Sequence, residues 1–163
     1  MIKLNIKVMT LILFLILTAC SASNEKDPSN SIFQVGLDEI ENVRVNETFQ
    51  IVGYLKNSSK KTVEISHGSG MFSYEIYNED GERILPNATV LLENAIGYQV
   101  EIRPGEEYRN NGQDQRSKEY YEFVIPQPGN YKVKTNVEFM MDNDGKQKKI
   151  SLSSESKEFK VQE

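Results

Sequence analysis

The stretch YKVKTNVE, residues 131–138, decides the fold class because it alternates strictly between two kinds of side chain. The odd positions carry Tyr, Val or Thr, and the even positions carry Lys, Asn or Glu. Successive side chains of a β-strand point to opposite faces of the sheet. A period of two therefore predicts a strand with one buried face and one solvated face.

The same period recurs through most of the chain after residue 31. It predicts further strands near residues 33–37, 49–55, 63–65, 72–77, 121–125, 150–152 and 159–161. Turn signals separate these runs at Asn57–Lys60, Asn78–Gly81, Pro104-Gly105, Pro128-Gly129 and Asn143–Gly145. No stretch has a convincing helical period. The sequence thus predicts an all-β fold, an immunoglobulin-like antiparallel β-sandwich of about seven to nine strands. The core candidates are Phe72, Tyr74, Ile76, Phe123, Tyr131 and Val133.

The N-terminal segment follows a different pattern. Two lysines precede an almost wholly apolar run, Val8–Leu17, which ends in Leu17-Thr18-Ala19-Cys20. A basic start, a short apolar run and small residues are typical of a secretory signal peptide. The run is about half the ~20 residues that a spanning helix needs.

The tetrapeptide Leu17-Thr18-Ala19-Cys20 resembles the lipobox of bacterial lipoproteins. The resemblance implies that the sulfur of Cys20 receives a diacylglyceryl group and that cleavage makes Cys20 the first residue. It also implies attachment to the cell membrane on its extracytoplasmic face. The prediction for the whole chain is a signal peptide at 1–19, a lipidated Cys with a flexible tether at 20–31, and a sandwich domain at 32–163.

Charge and cysteine content narrow the partners. The formal net charge is −5, and the only charged residues of the segment 1–19 are two lysines, so the remainder is more acidic still. An acidic chain without a basic cluster is a poor nucleic-acid binder, so no nucleic acid is expected as a partner. Cys20 is the only cysteine, which excludes a disulfide within the chain and leaves a thiol that lipidation would use.

The sequence offers little for catalysis. His67 is the only histidine, and it lies among serines and glycines in a segment predicted to be an exposed turn. With Cys20 assigned to lipid, a Cys/His nucleophile pair or a typical zinc site is not expected. We therefore predict no enzyme activity, no metal and no cofactor.

Recognition is instead predicted in two loops, because long loops on a rigid sandwich often carry its binding surface. Pro86–Tyr98 contains an apolar cluster, and Glu106–Lys118 is polar throughout most of its length. The candidate binding residues are Pro86, Leu91, Leu92, Ile96, Tyr98, Arg109, Asn111 and Arg116.

The order of motifs between about Gln50 and Val137 resembles the Bacillus proteinase inhibitor domain called BsuPI. The matching segments are Gly53–Ser59, Thr62–Ile65, Ser69–Ile76, Asp80-Gly81, Ile102–Glu106 and Pro128–Val133. The resemblance implies an immunoglobulin-like sandwich and inhibition of a secreted or surface proteinase. The chain departs from the family by having no tryptophan.

Three functions follow as hypotheses. The first is a membrane-anchored binding module, with proteinase inhibition as its finer form. The second is an accessory or structural envelope lipoprotein that inhibits nothing. The third is a glycosidase that uses carboxylates alone, which the absence of any sign of a deep cleft disfavours.

Lipidation at Cys20 gives the first testable prediction. Metabolic labelling with a fatty acid should mark the wild-type chain and leave Cys20→Ser unlabelled, because only the thiol at this position receives the diacylglyceryl group. Equal labelling of both chains would contradict the assignment.

Overall fold

The structure is a computed structural model that describes residues 32–85, 97–110, 121–143 and 145–163. The predicted signal peptide and tether, including Cys20, lie outside these ranges. The described ranges contain thirteen strands, five of which have only two or three residues. They are β1 (Phe33–Leu37), β2 (Val43–Arg44), β3 (Thr48–Gln50), β4 (Gly53–Asn57), β5 (Val63–His67), β6 (Phe72–Tyr77), β7 (Arg83–Ile84), β8 (Tyr98–Ile102), β9 (Glu107–Arg109), β10 (Glu122–Val124), β11 (Gly129–Asn143), β12 (Lys146–Ser153) and β13 (Lys157–Gln162).

The first layer is built around β3 and β4, which the sequence predicts as one strand. β4 pairs with β1 and β9, and β3 pairs with β10, all antiparallel. Between β3 and β4 the layer is held by two further bonds. The amide of Ile51 donates to the carbonyl of Tyr121 at 2.9 Å, and the amide of Asn110 donates to the carbonyl of Gly53 at 3.1 Å. The two small sheets therefore form one continuous layer.

The second layer is built around the long strand β11. Strands β13 and β12 pair along one edge of β11, and β6 and β5 pair along the other. β5 in turn pairs with β8, and β6 with β7. β2 joins β13 in parallel.

The core lies between these two layers. The alternation predicted for residues 131–138 is present in β11. The side chains of Tyr131, Val133, Thr135 and Val137 are buried, and the residues between them are partly or fully exposed. Rings meet across the layers, with 5.2 Å between the centroids of Phe33 and Phe139. All six predicted core candidates are buried. The predicted all-β antiparallel sandwich is confirmed.

The interruption between β3 and β4 has a local cause. The amide of Gly53 donates to the hydroxyl of Tyr74 and to the side-chain oxygen of Asn110, both at 2.8 Å. A Cβ atom at Gly53 would lie 2.9 Å from that same hydroxyl and 2.9 Å from Cγ2 of Thr135. Only glycine lets the layers approach this closely, so a side chain from each layer replaces the missing ladder bonds.

The chain crosses between the layers at β4–β5 and again at β8–β9, rather than running as successive hairpins. Such connections are characteristic of immunoglobulin-like sandwiches. The second crossing turns at Pro104-Gly105, where Glu106 donates to the carbonyl of Arg103 at 3.0 Å and Gly105 has a φ of 78°. This geometry requires a residue that tolerates positive φ at the third turn position, which glycine supplies.

Asn57 ties the two crossings together, and its side chain is fully buried. The side-chain nitrogen Nδ2 of Asn57 donates to the backbone carbonyls of Lys61 and Ile102, each at 2.8 Å. Its side-chain oxygen accepts from the amide of Ser59 at 2.9 Å. One side chain thus satisfies two carbonyls and one amide at the same end of the sandwich.

Replacing Asn57 with alanine should therefore lower the free energy of unfolding by about 2–4 kcal/mol, because buried partners lose their hydrogen bonds. Urea unfolding of the purified protein measures this loss. Ser58→Ala is the matched control, since Ser58 is exposed in the same turn. It should change the value by less than about 0.5 kcal/mol. An Asn57→Ala protein as stable as this control would contradict the assigned role.

Candidate functional site

Six of the eight predicted binding residues lie outside the described ranges: Pro86, Leu91, Leu92, Ile96, Asn111 and Arg116. The remaining two, Tyr98 and Arg109, lie in strands β8 and β9 rather than in loops. The prediction of a loop over Glu106–Lys118 is thus wrong for Glu107–Arg109, which form β9. A three-residue strand is too short to show a period, and its composition is mostly polar, so the sequence concealed it.

Arg109 is fixed on the outer face of the first layer. Its guanidinium lies over the ring of Tyr54, 5.5 Å from the centroid, and forms ion pairs with Asp38 and Glu107. Hydrogen bonding to Asp38 is the main cause that raises the pKa of Arg109, and burial opposes it. The Tyr54 ring lies in turn against Gly36, where an added Cβ would overlap it. These contacts give Arg109 a structural role that does not require a ligand.

Tyr98 belongs to a different cluster, which contains His67. The prediction that His67 is an exposed turn residue is wrong, because His67 ends β5 and is only 5% exposed. Its ring stacks on Tyr98 at 5.3 Å between centroids. Tyr98 and Tyr108, which are distant from His67 in sequence, cover its ring. The prediction of an exposed turn rested on the neighbouring glycines and serines, which give no sign of these contacts.

The hydrogen bonds of His67 assign its tautomer. Nδ1 lies 2.7 Å from the carbonyl of Gly68, and Nε2 lies 2.9 Å from the hydroxyl of Tyr108. A carbonyl only accepts, so Nδ1 carries a proton, and in the neutral ring Nε2 then accepts from the hydroxyl of Tyr108. Tyr108 and Arg109 are adjacent in β9 and point to opposite faces. The structure therefore does not bring Tyr98 and Arg109 into one site.

A concave site that the sequence did not predict opens in the second layer between β5 and the hairpin formed by β11 and β12. This notch has a volume of about 660 Å³. Its apolar lining is Ile32, Val63, Ile65, Met140 and Met141, and its rim carries Lys60, Lys61, Glu64, Gln99, Asp142 and Gln147. A volume of this size is in the range of ligand-binding clefts.

The notch exists because two neighbouring strands diverge. β11 pairs with β5 only at Met140–Ser66 and Met141–Ile65. Beyond Met141, β11 remains paired with β12 up to Asn143, while β5 remains paired with β8 back to Val63. In the described ladder, the backbone of β5 before Ile65 has no strand partner on the side that faces the hairpin.

Acidic side chains lie at this divergence. Continuing the antiparallel register would place Glu64 directly opposite Asp142, and Glu64 already faces Glu101 on β8. Like charges directly opposite each other destabilise a strand pair. The carboxylate of Glu64 accepts a hydrogen bond from Gln99. That of Asp142 accepts from the amide of Gly145 at 2.8 Å. Within the described part of the chain, neither carboxylate forms an ion pair.

The described residues contain neither a metal-binding cluster nor a membrane-spanning helix. No group of three or more His, Cys, Asp or Glu side chains in the described ranges is arranged to hold a metal ion. No helix within them is long and apolar enough to cross a membrane.

No protein-family model matches the chain, and no curated protein sequence matches it. Among solved structures, the chain is similar to the ASH/PapD-like domain 7 of human CEP192, with 12% identity over 80% of this chain and 84% of that one, and a TM-score of 0.37. It is also similar to a calcium-binding mutant of Bacteroides uniformis beta-glucuronidase 2, with 14% identity over 73% of this chain and 12% of that one, and a TM-score of 0.30. Both TM-scores are low, so the assignment of a sandwich rests on the strand pairings of this chain itself.

The link between His67 and Tyr108 can be measured by a double-mutant cycle. His67→Phe and Tyr108→Phe should couple by about 1 kcal/mol in the free energy of unfolding, because they share a buried hydrogen bond. Tyr131→Phe is the control partner, since its hydroxyl donates to the carbonyl of Gln127. It should be additive with His67→Phe to within about 0.5 kcal/mol. Equal coupling in both cycles would contradict a specific bond.

Proposed function

We propose that this chain is a non-catalytic binding module that captures an envelope or secreted protein. Lipid on Cys20 would hold it at the extracytoplasmic face of the cell membrane. The observation that supports binding best is the notch, a concavity with an apolar floor and charged rim on a rigid β-sandwich. The membrane attachment rests on the resemblance of Leu17–Cys20 to a lipobox.

The notch supports binding because of its unpaired backbone. Exposed strand edges are templates for pairing with another chain, and proteins usually pair, cover or shorten them. Here the edge of β5 lies beside an apolar floor of half-buried side chains, Val63, Met140 and Met141. A partner that covered this floor would remove apolar surface from water and satisfy backbone groups at the same time.

Proteinase inhibition is the finer form of this proposal, and it rests on the motif order between Gln50 and Val137. An inhibitor must present a segment that is ordered enough to resist cutting. The segments proposed for that role are residues 86–97 and 111–118, the parts of the two predicted loops that lie outside β8 and β9. The accessory lipoprotein, which binds a partner without inhibiting a proteinase, is the alternative.

The proposal predicts capture of a specific protein. The lipidated full-length chain, carrying an affinity tag and cross-linked in the envelope of its parent cell, should enrich one partner over a tag-only control. Because a lipid anchor concentrates the module at the membrane, Cys20→Ser should lower the yield. No enrichment by the wild-type chain would refute the binding function.

Two further experiments distinguish a proteinase inhibitor from an accessory lipoprotein. The purified chain is assayed against a panel of serine proteinases. Residues 86–97 and 111–118 are each replaced by a Gly-Ser linker, which leaves β8 and β9 intact, and the folding of each variant is confirmed before its assay. Inhibition that is lost with one loop supports the inhibitor. Capture without inhibition supports the accessory lipoprotein.

A further inference from the structure

We infer that the notch binds an extended peptide segment of the partner protein as an added strand beside β5. An acidic group of the peptide lies at Lys60 and Lys61, and a basic side chain lies between Glu64 and Asp142. This inference rests on the proposed binding function and names the chemistry of what is bound.

The backbone supplies the first argument. Val63–His67 pairs along its whole length with β8, whereas on the opposite side only Ser66 and Ile65 pair with β11. The edge before Ile65 therefore presents amide and carbonyl groups to the notch. Extended peptides bind such edges by main-chain hydrogen bonds, and alternate side chains enter flanking pockets.

The shape of the notch indicates a single strand rather than another sheet. One wall is β5 and the other is the β11–β12 hairpin, and each wall already belongs to a sheet. In a second copy, each strand of the described ranges already pairs within a sheet. A segment without its own sheet partners fits this gap.

The charges of the rim give the peptide a polarity. Lys60 and Lys61 are exposed, and neither forms an ion pair within the described ranges. At the other end are Glu64 and Asp142, the two positions that would lie opposite each other if the pairing of β5 with β11 continued. Lys60 lies in the bend before β5 and Glu64 lies within β5, four positions further along the chain. A peptide with opposite charges at a similar spacing would neutralise both ends.

The floor of the notch favours apolar side chains of modest size between those charges. Val63 and Met141 are half-buried and pack against the core, whereas the adjacent Met140, also half-buried, lies on the outer face of the sheet. Methionine is unbranched and adapts its shape to the group that it contacts. The bound segment is therefore expected to alternate apolar and polar residues between its charged ends.

The test is a binding titration with the full-length chain in detergent. The probe is a short fluorescein-labelled peptide of alternating threonine and valine, with one glutamate and one lysine about four positions apart. Saturable binding is expected. The same peptide with proline at its centre should fail to bind, because proline removes an amide donor and breaks strand pairing.

Charge reversal tests the polarity. Lys60→Glu with Lys61→Glu should weaken binding by about tenfold. A peptide whose glutamate is replaced by lysine should bind this variant better than the original peptide does. The matched control is Arg44→Glu with Lys160→Glu, which makes the same change in net charge at exposed residues of β2 and β13. It should alter affinity by less than about twofold, and urea unfolding confirms that both variants are folded.

The outcomes separate this inference from the function on which it rests. Equal binding of the proline peptide, equal weakening by both double variants, no saturable binding, or self-association of the chain through the notch would each overturn the inference. Capture of the envelope partner that Lys60→Glu with Lys61→Glu leaves unchanged would overturn it too, while the binding function stands. Absence of capture by the wild-type chain refutes the binding function, and the peptide titration then decides the notch alone.

Discussion

The buried side chain of Asn57 is the interaction on which the arrangement of the two layers depends. Both chain crossings at this end of the sandwich pass beside it. Its backbone amide donates to the carbonyl of Glu106 at 3.0 Å, and its carbonyl accepts from Gly105 at 2.8 Å. Together with its side-chain bonds to Lys61 and Ile102, these contacts fix where β5 and β9 begin. A buried donor or acceptor without a partner is costly, so no other path of the two crossings satisfies the same groups.

The position of the notch follows from the hydrogen bonds of Asn57 together with the short pairing between β5 and β11. The start of β5 is fixed through Lys61, whose carbonyl accepts from Asn57 at 2.8 Å. Its end is fixed by the pairing of Ser66 with Met140. Between these two points β5 and β11 separate, and continued pairing would have placed Glu64 opposite Asp142. The site is therefore held open by rigid structure on both sides, and a bound strand would require little reorganisation of the protein.

The parts of the fold that sequence could predict are those that repeat. Long alternating runs such as 131–138 predicted their strands, and the hydrophobic positions within them are the core. Strands β2, β7 and β9 were missed because two or three residues carry no period. The five residues of β8 do alternate, but this strand was missed as well, because its first residue was assigned to a loop. His67 was misplaced because its burial comes from Tyr98 and Tyr108, which are far away in sequence. The notch was missed for a related reason: it is a property of register between β5 and β11, and pairing between distant strands cannot be read from either strand alone.

The charged rim also has a consequence for the unbound protein. An open strand edge with an apolar floor is a site for unwanted association. Glu64, Glu101 and Asp142 concentrate negative charge at the closed end of the notch, while Lys60 and Lys61 place positive charge at the other end. An uncharged apolar strand that entered would bring these groups out of water without pairing them, which costs free energy. A strand that carries both complementary charges would pair them instead. The charged residues of the notch therefore disfavour most extended segments and favour one kind, so specificity comes as much from the penalty against wrong partners as from attraction to the right one.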